Sequence, residues 1–367
     1  MHRIFHSIGH GVWMTLNLLA VALLLSADLA GLIPPSRLHM PAILGIGFEA
    51  LAILNAAFAV TWLFSSHKSW CTVSVLALLL SFTPLRATFS HRIQSSSPCD
   101  SASSRLTVLS YNTHLLQSNT PFEKNDLLRY IHDSGADVVC MQEYAVYKDA
   151  QYPTFQRVKD YLTEVYPYTY FDFSVHNRRL QYGLAVYSKF PLLNKTTIPI
   201  RATGNGANYC DLVVRGDTFR LFNNHLQSNS LSPAELDSLL SPSAQRKQFT
   251  TLGSKLSSNL AQRATQVETI RQAIDASPYP VIVCGDFNDV PASYTYRHLA
   301  RGLKDAFLTT SRLRTGHTFV KRGLGVRIDY ILHSDKLNAI DFCVNRVPYS
   351  DHYPVSATLT WNRVIPF

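Results

Sequence analysis

The chain has 367 residues, 46% of them hydrophobic, which leaves room for one large domain or two ordinary ones. A formal charge of +9 and a pI near 9.2 favour anionic partners such as nucleic acid or phospholipid surfaces, although a modest basic excess also serves solubility. The six cysteines, at 71, 99, 140, 210, 284 and 343, have no metal-ligand spacing, which excludes a cysteine-built metal module and leaves the redox compartment open.

Composition is uneven along the chain. Residues 1–98 are largely apolar and contain only two acids, Asp28 and Glu49. Val12 to Ile33 is long enough to cross a bilayer, and Pro34–Pro35 then break the helix. Pro41 to Phe64 is a second such run and carries Glu49 inside it; Trp70 to Leu85 is a shorter third, flanked by an interface-preferring Trp. A cleaved signal peptide would explain the first run but not the next two. The expectation is therefore a membrane domain over 1–93 with three transmembrane helices, about 12–33, 41–64 and 70–85. The Ser-rich segment 94–104 reads as a flexible linker, and 105–367 as a catalytic domain.

Within that domain Leu106–Tyr111 alternates like a strand and ends at Asn112. Asn125–Ser134 has helical spacing, and Asp137–Met141 reads as a buried strand ending at Gln142–Glu143. Tyr182–Ser188, Tyr209–Val214 and Phe219–Phe222 continue with strand-like composition. Residues 229–260 read as a polar excursion over one face, and Ala261–Ile274 as a helix leading into the strand Val281–Cys284. Further strands are expected at Gly316–Val320, Val326–Leu332, Ala339–Val344 and Val355–Thr360. Strands outnumber helices, so two stacked sheets with outer helices fit better than a helical bundle.

Polar residues recur where these apolar runs end: SYNTH around Asn112, VVCMQEY at Glu143, FNNHL around His225, GDFND at 286–289, RIDYIL at Asp329 and YSDHYPV at Asp351–His352. Each alone is weak, since Asp–X–Asn is commonly a turn and a lone His commonly structural. Their ordered conjunction is not. Carboxylates, amides and imidazoles at strand ends are what a divalent-metal phosphoesterase requires.

These motifs resemble the endonuclease/exonuclease/phosphatase superfamily, the group of pancreatic deoxyribonuclease, abasic-site endonucleases, inositol polyphosphate phosphatases and neutral sphingomyelinases. The resemblance covers about residues 105–362. It implies an α/β fold, a four-layer α/β/β/α sandwich (DNase I-like), with the site at one end of the sheets. It also implies Mg²⁺ or Mn²⁺ held chiefly by Glu143, with Asn112 and Asp351 completing the surroundings directly or through water. Asp286 would orient or deprotonate the attacking water, and Asn288 would steady the pentavalent phosphorus. His352, polarised by Asp329, and His225 would offset developing charge. His114 and Asn224 would be structural or supporting residues, and Tyr182–Gly183 lie where relatives shape the pocket.

Apolar segments ahead of such a domain resemble bacterial teicoplanin-resistance membrane proteins. That implies a multi-pass protein, of the bacterial inner membrane, with an extracytoplasmic catalytic domain acting on a polyprenyl phosphate or diphosphate at the bilayer. Arg178–Arg179, Arg297, Arg301, Arg312, Arg314, Lys321–Arg322 and Arg327 form a basic set near the motifs, with Arg178 and Arg179 assigned to substrate binding. A membrane-tethered nuclease and an inert membrane scaffold are the alternatives. No protein partner is evident.

Overall fold

The computed structural model describes residues 2–90, 104–117, 120–149, 151–201, 204–229, 246–310, 315–321 and 323–362. The linker expected at 94–104 lies outside them except for Ser104, as do residues 230–245 of the expected excursion. Two compact units emerge: Met1–Phe89 with Asn229–Ala264 and Asp289–Arg297, and Ser90–Ser228 with Thr265–Asn288 and His298–Phe367.

The first unit holds α1 (His2–Asp28), α2 (His39–Ile46), α3 (Phe48–Leu63), α4 (Cys71–Leu80) and α5 (Phe82–Thr88). The stretch His10–Gly31, of 22 residues, is long and apolar enough to cross a membrane by itself. The second and third expected spans are not single continuous helices: each is a bent pair, α2–α3 at 71° and Lys68–Leu80 with α5 at 69°, and amounts to a span only if the pair crosses as one. The physical causes are local. Pro84 has no N–H to continue the α4 ladder and its ring would meet the Leu80 carbonyl, so the helix breaks at Ser81. The α2–α3 break falls at Gly47, where backbone freedom weakens a helix. Gly45 lets α2 approach α1 closely, since a Cβ there would lie 2.6 Å from that of Ala30.

Several polar groups inside this unit pair with one another or with carbonyls, although Asn55 Oδ1 and Ser81 Oγ have no hydrogen-bond partner among the described residues. Asn17 Nδ2 donates to Ser74 Oγ (2.7 Å), and Trp62 Nε1 donates to Asn17 Oδ1 (2.9 Å). Asn55 Nδ2 donates to the Ala20 carbonyl (3.0 Å). In the same unit Arg263, fully buried, pairs with Asp289 at 2.8 Å, and Thr295 Oγ1 donates to that carboxylate (2.7 Å).

The second unit carries two six-stranded sheets. Its strands are β1 (Ser104–Asn112), β2 (Val138–Tyr147), β3 (Tyr168–His176), β4 (Leu180–Ser188), β5 (Leu192–Thr197), β6 (Gly206–Val214) and β7 (Asp217–His225). They continue with β8 (Val281–Asp286), β9 (Lys304–Asp305), β10 (Phe319–Lys321), β11 (Leu324–Val326), β12 (Asp329–His333), β13 (Asn338–Val344) and β14 (Val355–Trp361). The helices are α6 (Asp126–Asp133), α7 (Phe155–Thr163), α8 (Arg246–Asp275, in this unit from Thr265), α9 (Tyr294–Leu299, in this unit only from His298) and α10 (Ala306–Thr310).

One sheet has the order β13-β14-β1-β2-β4-β3 and the other β5-β6-β7-β8-β12-β9, with β10–β11 a separate hairpin. Each large sheet contains one parallel pair, β1∥β2 and β7∥β8. A parallel neighbour needs a crossover connection, and α6 and α8 lie in those connections. Core residues from both sheets, among them Val108, Cys140, Val186, Leu221, Cys284 and Ile331, pack together between the layers. Leu127, Leu128 and Ile131 of α6 and Val158 and Leu162 of α7 cover the outer face of the first sheet. On α8, Val267, Ile270 and Ile274 are buried.

The expected strands are present with three differences: Val326–Leu332 is interrupted at Arg327–Ile328 between β11 and β12, the strand expected at Gly316–Val320 is only Phe319–Lys321, and β2 runs past Glu143 to Tyr147. The elements β3, β5 and α7 had no expectation. Their burial is partial and mixed, so neither a period of two nor one of 3.6 stands out.

Candidate active site

The two parallel pairs explain why distant motifs converge. Parallel neighbours end at the same edge, so Asn112 of β1 lies in register with Gln142 of β2, and His225 of β7 with Asp286 of β8. The antiparallel β12 starts opposite, with Asp329 in register with Asp286. Gly285 permits this crowding: at φ 132°, a Cβ there would lie 1.9 Å from the Asn224 carbonyl oxygen.

Glu143 leaves the strand geometry. The β2–β4 register shifts between Met141 and Tyr144, and Glu143 adopts φ 51°, a left-handed backbone rare for a non-glycine residue. Gly183 of β4 faces this bulge, and a Cβ on it would lie 2.1 Å from the Asp172 carbonyl oxygen. The bulge is braced from the other sheet. The Asn223 amide donates to the carbonyls of Met141 (3.1 Å) and Ala185 (3.2 Å), while Gln142 Nε2 donates to Asn223 Oδ1 (2.7 Å). Gln142 and Asn223 are fully buried. Sequence reasoning missed both, although each is a polar residue inside an apolar run, the signal that could have found them.

At the site Asn112 Nδ2 bridges two acids, donating to Asp286 Oδ2 (3.0 Å) and Glu143 Oε1 (3.2 Å). Its oxygen accepts from the His114 N–H (3.2 Å). Asp286 also accepts from the Asn288 backbone N–H (2.7 Å) and from Asn288 Nδ2 (3.1 Å), a turn that places Asn288 at φ 53°. His225 Nε2 faces Glu143 Oε1 (3.7 Å) and Asp286 Oδ2 (3.8 Å), near enough for charge but too long for hydrogen bonds. His352 Nδ1 lies 3.0 Å from Asp329 Oδ2, and its Nε2 3.7 Å from Asp286 Oδ2. Asp351 lies at the rim, 43% exposed, with Oδ1 3.3 Å from His114 Nδ1.

Burial sets the protonation pattern. It raises the Asp286 carboxyl above its ordinary value, and the neighbouring His352 and His225 offset this only in part. It lowers His225, which stays neutral near pH 7. Burial alone would lower His352 too, but the Asp329 and Asp286 carboxylates outweigh it and raise the imidazole to about 10. Burial also raises the Tyr182 hydroxyl, and the Glu143 and Asp286 charges beside it add to that shift.

The site thus brings together Asn112, Glu143, His225, Asp286, Asn288, Asp329, Asp351 and His352. Carboxylates exceed cations there, and hard oxygen donors with surplus negative charge fit a divalent cation such as Mg²⁺ or Mn²⁺. The tightest buried grouping is Asp286, Asp329 and His352, whose ligand atoms lie within 4.8 Å of one another. Asp329 and His352 already engage each other, so the more open Glu143–Asp351 side suits an ion better.

Among the described residues of the second unit, the basic set does not converge on the site. Arg178 and Arg179 sit exposed in the β3–β4 turn, where the Arg179 carbonyl accepts from the Lys148 N–H (3.0 Å). Five residues of strand beyond Glu143 place that turn roughly 16 Å along the ladder from the catalytic cluster. Arg327 of the basic set is buried against Asp305 at 2.7 Å, with the Phe307 and Tyr330 rings 4.5 and 4.7 Å away. Arg301 pairs with Asp275 (3.1 Å). Lys321 is exposed on β10, and Arg297 belongs to the first unit. Arg312, Arg314 and Arg322 lie outside the described residues.

The model of the "Endonuclease/Exonuclease/phosphatase family" matches residues 109–352. The chain belongs to this family. Enzymes of the endonuclease/exonuclease/phosphatase family hydrolyse phosphate esters and commonly depend on a divalent metal. Residues 10–88 match a second family, described as a domain of unknown function. A comparison with curated proteins found no match. Among solved structures, an endonuclease/exonuclease/phosphatase from Beutenbergia cavernae is 17% identical, with a TM-score of 0.52 over 70% of this chain and 72% of that one. A family protein from Leptotrichia buccalis is 16% identical, with a TM-score of 0.50 over 69% of this chain and 99% of that one. At these identities the likeness concerns the fold.

Proposed function

We propose that this protein is a membrane-anchored, divalent-metal-dependent phosphoesterase that hydrolyses a lipid phosphate or diphosphate, most simply a polyprenyl one, by in-line attack of water. One observation carries the reading: an apolar helix long enough to cross a bilayer, His10–Gly31, shares a chain with a family domain whose polar motifs meet at strand ends of both sheets. If each bent helix pair acts as one span, the protein is multi-pass, with three spans. The localisation that goes with this reading is the bacterial inner membrane with an extracytoplasmic catalytic domain.

Asp286 holds the attacking water and takes its proton as the oxygen–phosphorus bond forms; a raised carboxyl is a better base than an ordinary one. Asn288, fixed by the same carboxylate, steadies the phosphoryl oxygens. His352 is cationic and held by Asp329, so it offsets charge on a non-bridging oxygen or on the leaving group as the scissile bond breaks. Neutral His225 offers an N–H to the same charge. Glu143, Asp351 and Asn112 would hold Mg²⁺ or Mn²⁺, which supplies charge neutralisation to the phosphate when bound.

The test is metal-dependent phosphate release from undecaprenyl diphosphate by detergent-purified full-length protein, with His352→Ala as control. Release that vanishes in the variant and with chelator supports the reading; none from folded, metal-loaded protein overturns that substrate. A membrane-tethered nuclease is the second reading, favoured by the exposed Arg178–Arg179 turn. Cleavage of plasmid DNA that falls steeply with ionic strength would put it first. The inert scaffold is disfavoured by the retained Asp286 and His352.

A further inference from the structure

We propose that Asp289 is a positioning residue for hydrolysis: locked by Arg263 and Thr295 in a segment that packs on the end of the membrane-crossing helix, it lets that helix govern turnover through the adjoining Asn288. The inference rests on the phosphoesterase reading above and adds its coupling to the bilayer.

The turn that carries the chemistry needs holding on both sides. Asn288 has φ 53°, a left-handed backbone that a side chain disfavours, so its neighbours must fix it. Before it, the Phe287 N–H donates to the Ile328 carbonyl (2.8 Å), and the buried Phe287 ring stacks on Tyr330 at 4.8 Å. After it comes Asp289. Asn288 closes a segment of the sandwich unit, and Asp289, joined to it by one peptide bond, opens the segment Asp289–Arg297 of the helical unit.

Asp289 is held more firmly than a turn residue requires. It is 4% exposed; its Oδ2 lies 2.8 Å from Nη1 of Arg263 on α8 and accepts from Thr295 Oγ1 on α9 (2.7 Å). Its Oδ1 accepts from the Val290 N–H (3.1 Å), and Arg263 Nη2 donates to Asn229 Oδ1. A buried ion pair adds little to stability, since desolvation opposes the attraction, but its narrow geometry suits it to fixing one conformation.

The residues that follow lead to the membrane helix. The Ser293 N–H donates to the Val290 carbonyl (3.0 Å) and the Arg297 N–H to the Ser293 carbonyl (3.1 Å), which makes the segment one folded piece. At Gly31, the last residue of the span His10–Gly31, a Cβ would lie 3.1 Å from both the Ala292 carbonyl oxygen and Arg297 Cδ. The apolar helix therefore ends against the segment that Asp289 begins. A shift of that helix is passed to Ala292 and Arg297, and by Asp289 to Asn288.

The test uses full-length protein in lipid nanodiscs, with kcat and KM for undecaprenyl diphosphate and residue-level hydrogen exchange at the Phe287 and Asn288 amides. The variants are Asp289→Asn, Thr295→Val and Gly31→Val. Asp289→Asn leaves Arg263 uncompensated, so Thr295→Val, which removes one hydrogen bond at similar volume, decides the outcome if the first does not fold. In Thr295→Val kcat should fall about tenfold with KM unchanged, and the two amides should exchange about tenfold faster while β8 keeps its protection. Asp289→Asn should exceed that, and Gly31→Val should show the same pattern at about threefold. Unchanged kcat and turn exchange in folded Thr295→Val overturn the role of Asp289, as does exchange that rises equally in β8 and the turn. Wild-type behaviour of Gly31→Val overturns the link to the membrane helix. A wild type that releases no phosphate overturns that substrate, and the exchange at Phe287 and Asn288 then decides the role of Asp289 by itself.

Discussion

The helices α1–α5 and the sandwich unit both bury polar side chains, to different ends. Within α1–α5 the buried polar groups include neutral amides, hydroxyls and an indole, with Asn17, Asn55, Ser74 and Trp62 engaging one another or a carbonyl; the ionic Arg263–Asp289 pair of the same unit lies outside these helices. Many large apolar residues face outward there, with Leu76, Leu79 and Leu80 at 58%, 62% and 69% exposure, while Trp62, Phe48 and Leu24 are buried. In the sandwich, aliphatic and aromatic residues fill the space between sheets, and the buried ionisable groups Asp286, Asp329, His225 and His352 crowd one edge. Polar burial that is neutral and mutually satisfied holds helices together. Polar burial that is charged and only partly compensated is a reservoir for chemistry.

Four substitutions sharpen or break that contrast. The largest effect should come from Asp286→Asn, which removes the base while keeping shape. Hydrolysis should fall about 10³-fold, with the melting temperature unchanged or raised, because the buried charge costs stability. A marked fall in melting temperature would show that the charge serves the fold instead.

Next is Asp329→Asn, which removes the partner holding the His352 imidazole up. Activity should drop about 10²-fold. The raised folded value also has a stability consequence. The His352–Asp329 contribution is complete below the ordinary imidazole value of 6.5 and is lost as pH rises through about 10. Wild type should therefore lose stability across that alkaline window, and the variant should show a flatter profile in pH-dependent thermal melts.

Asn223→Leu should cost about 3 kcal/mol, because the Met141 and Ala185 carbonyls and the Gln142 amide all lose a buried partner. Metal affinity should weaken with it as the Glu143 bulge loosens, which calorimetry would read. The smallest effect belongs to Asn17→Leu in the helices, about 1 kcal/mol in detergent melts, with hydrolysis unaffected. Were this change to exceed that of Asn223→Leu, the contrast between the two units would fail.

Much of the site was legible because strand ends leave marks in a sequence. An apolar run that stops at Asn112, Glu143, His225 or Asp286 announces both a buried strand and a polar edge. Roles rested on the ordered motifs rather than on any single one. His114 read as a supporting residue, since nothing local signals a left-handed turn that swings its ring between two acids. Arg327 joined the basic set because charge is visible in a sequence and its burial against Asp305 is not.

The sequence by itself determined the apolar N-terminal third, the alternation of strands and crossovers, and the residue types at the strand ends. These follow from local periodicity and composition, which neighbouring residues encode. Only the tertiary structure decided that two apolar segments bend, that β2 bulges so Glu143 turns into the site, and that Asn223 braces the bulge from the opposite sheet. Those outcomes depend on contacts between residues far apart in the chain, where close approach and the need to pair every buried polar group select among conformations that are locally near-equal.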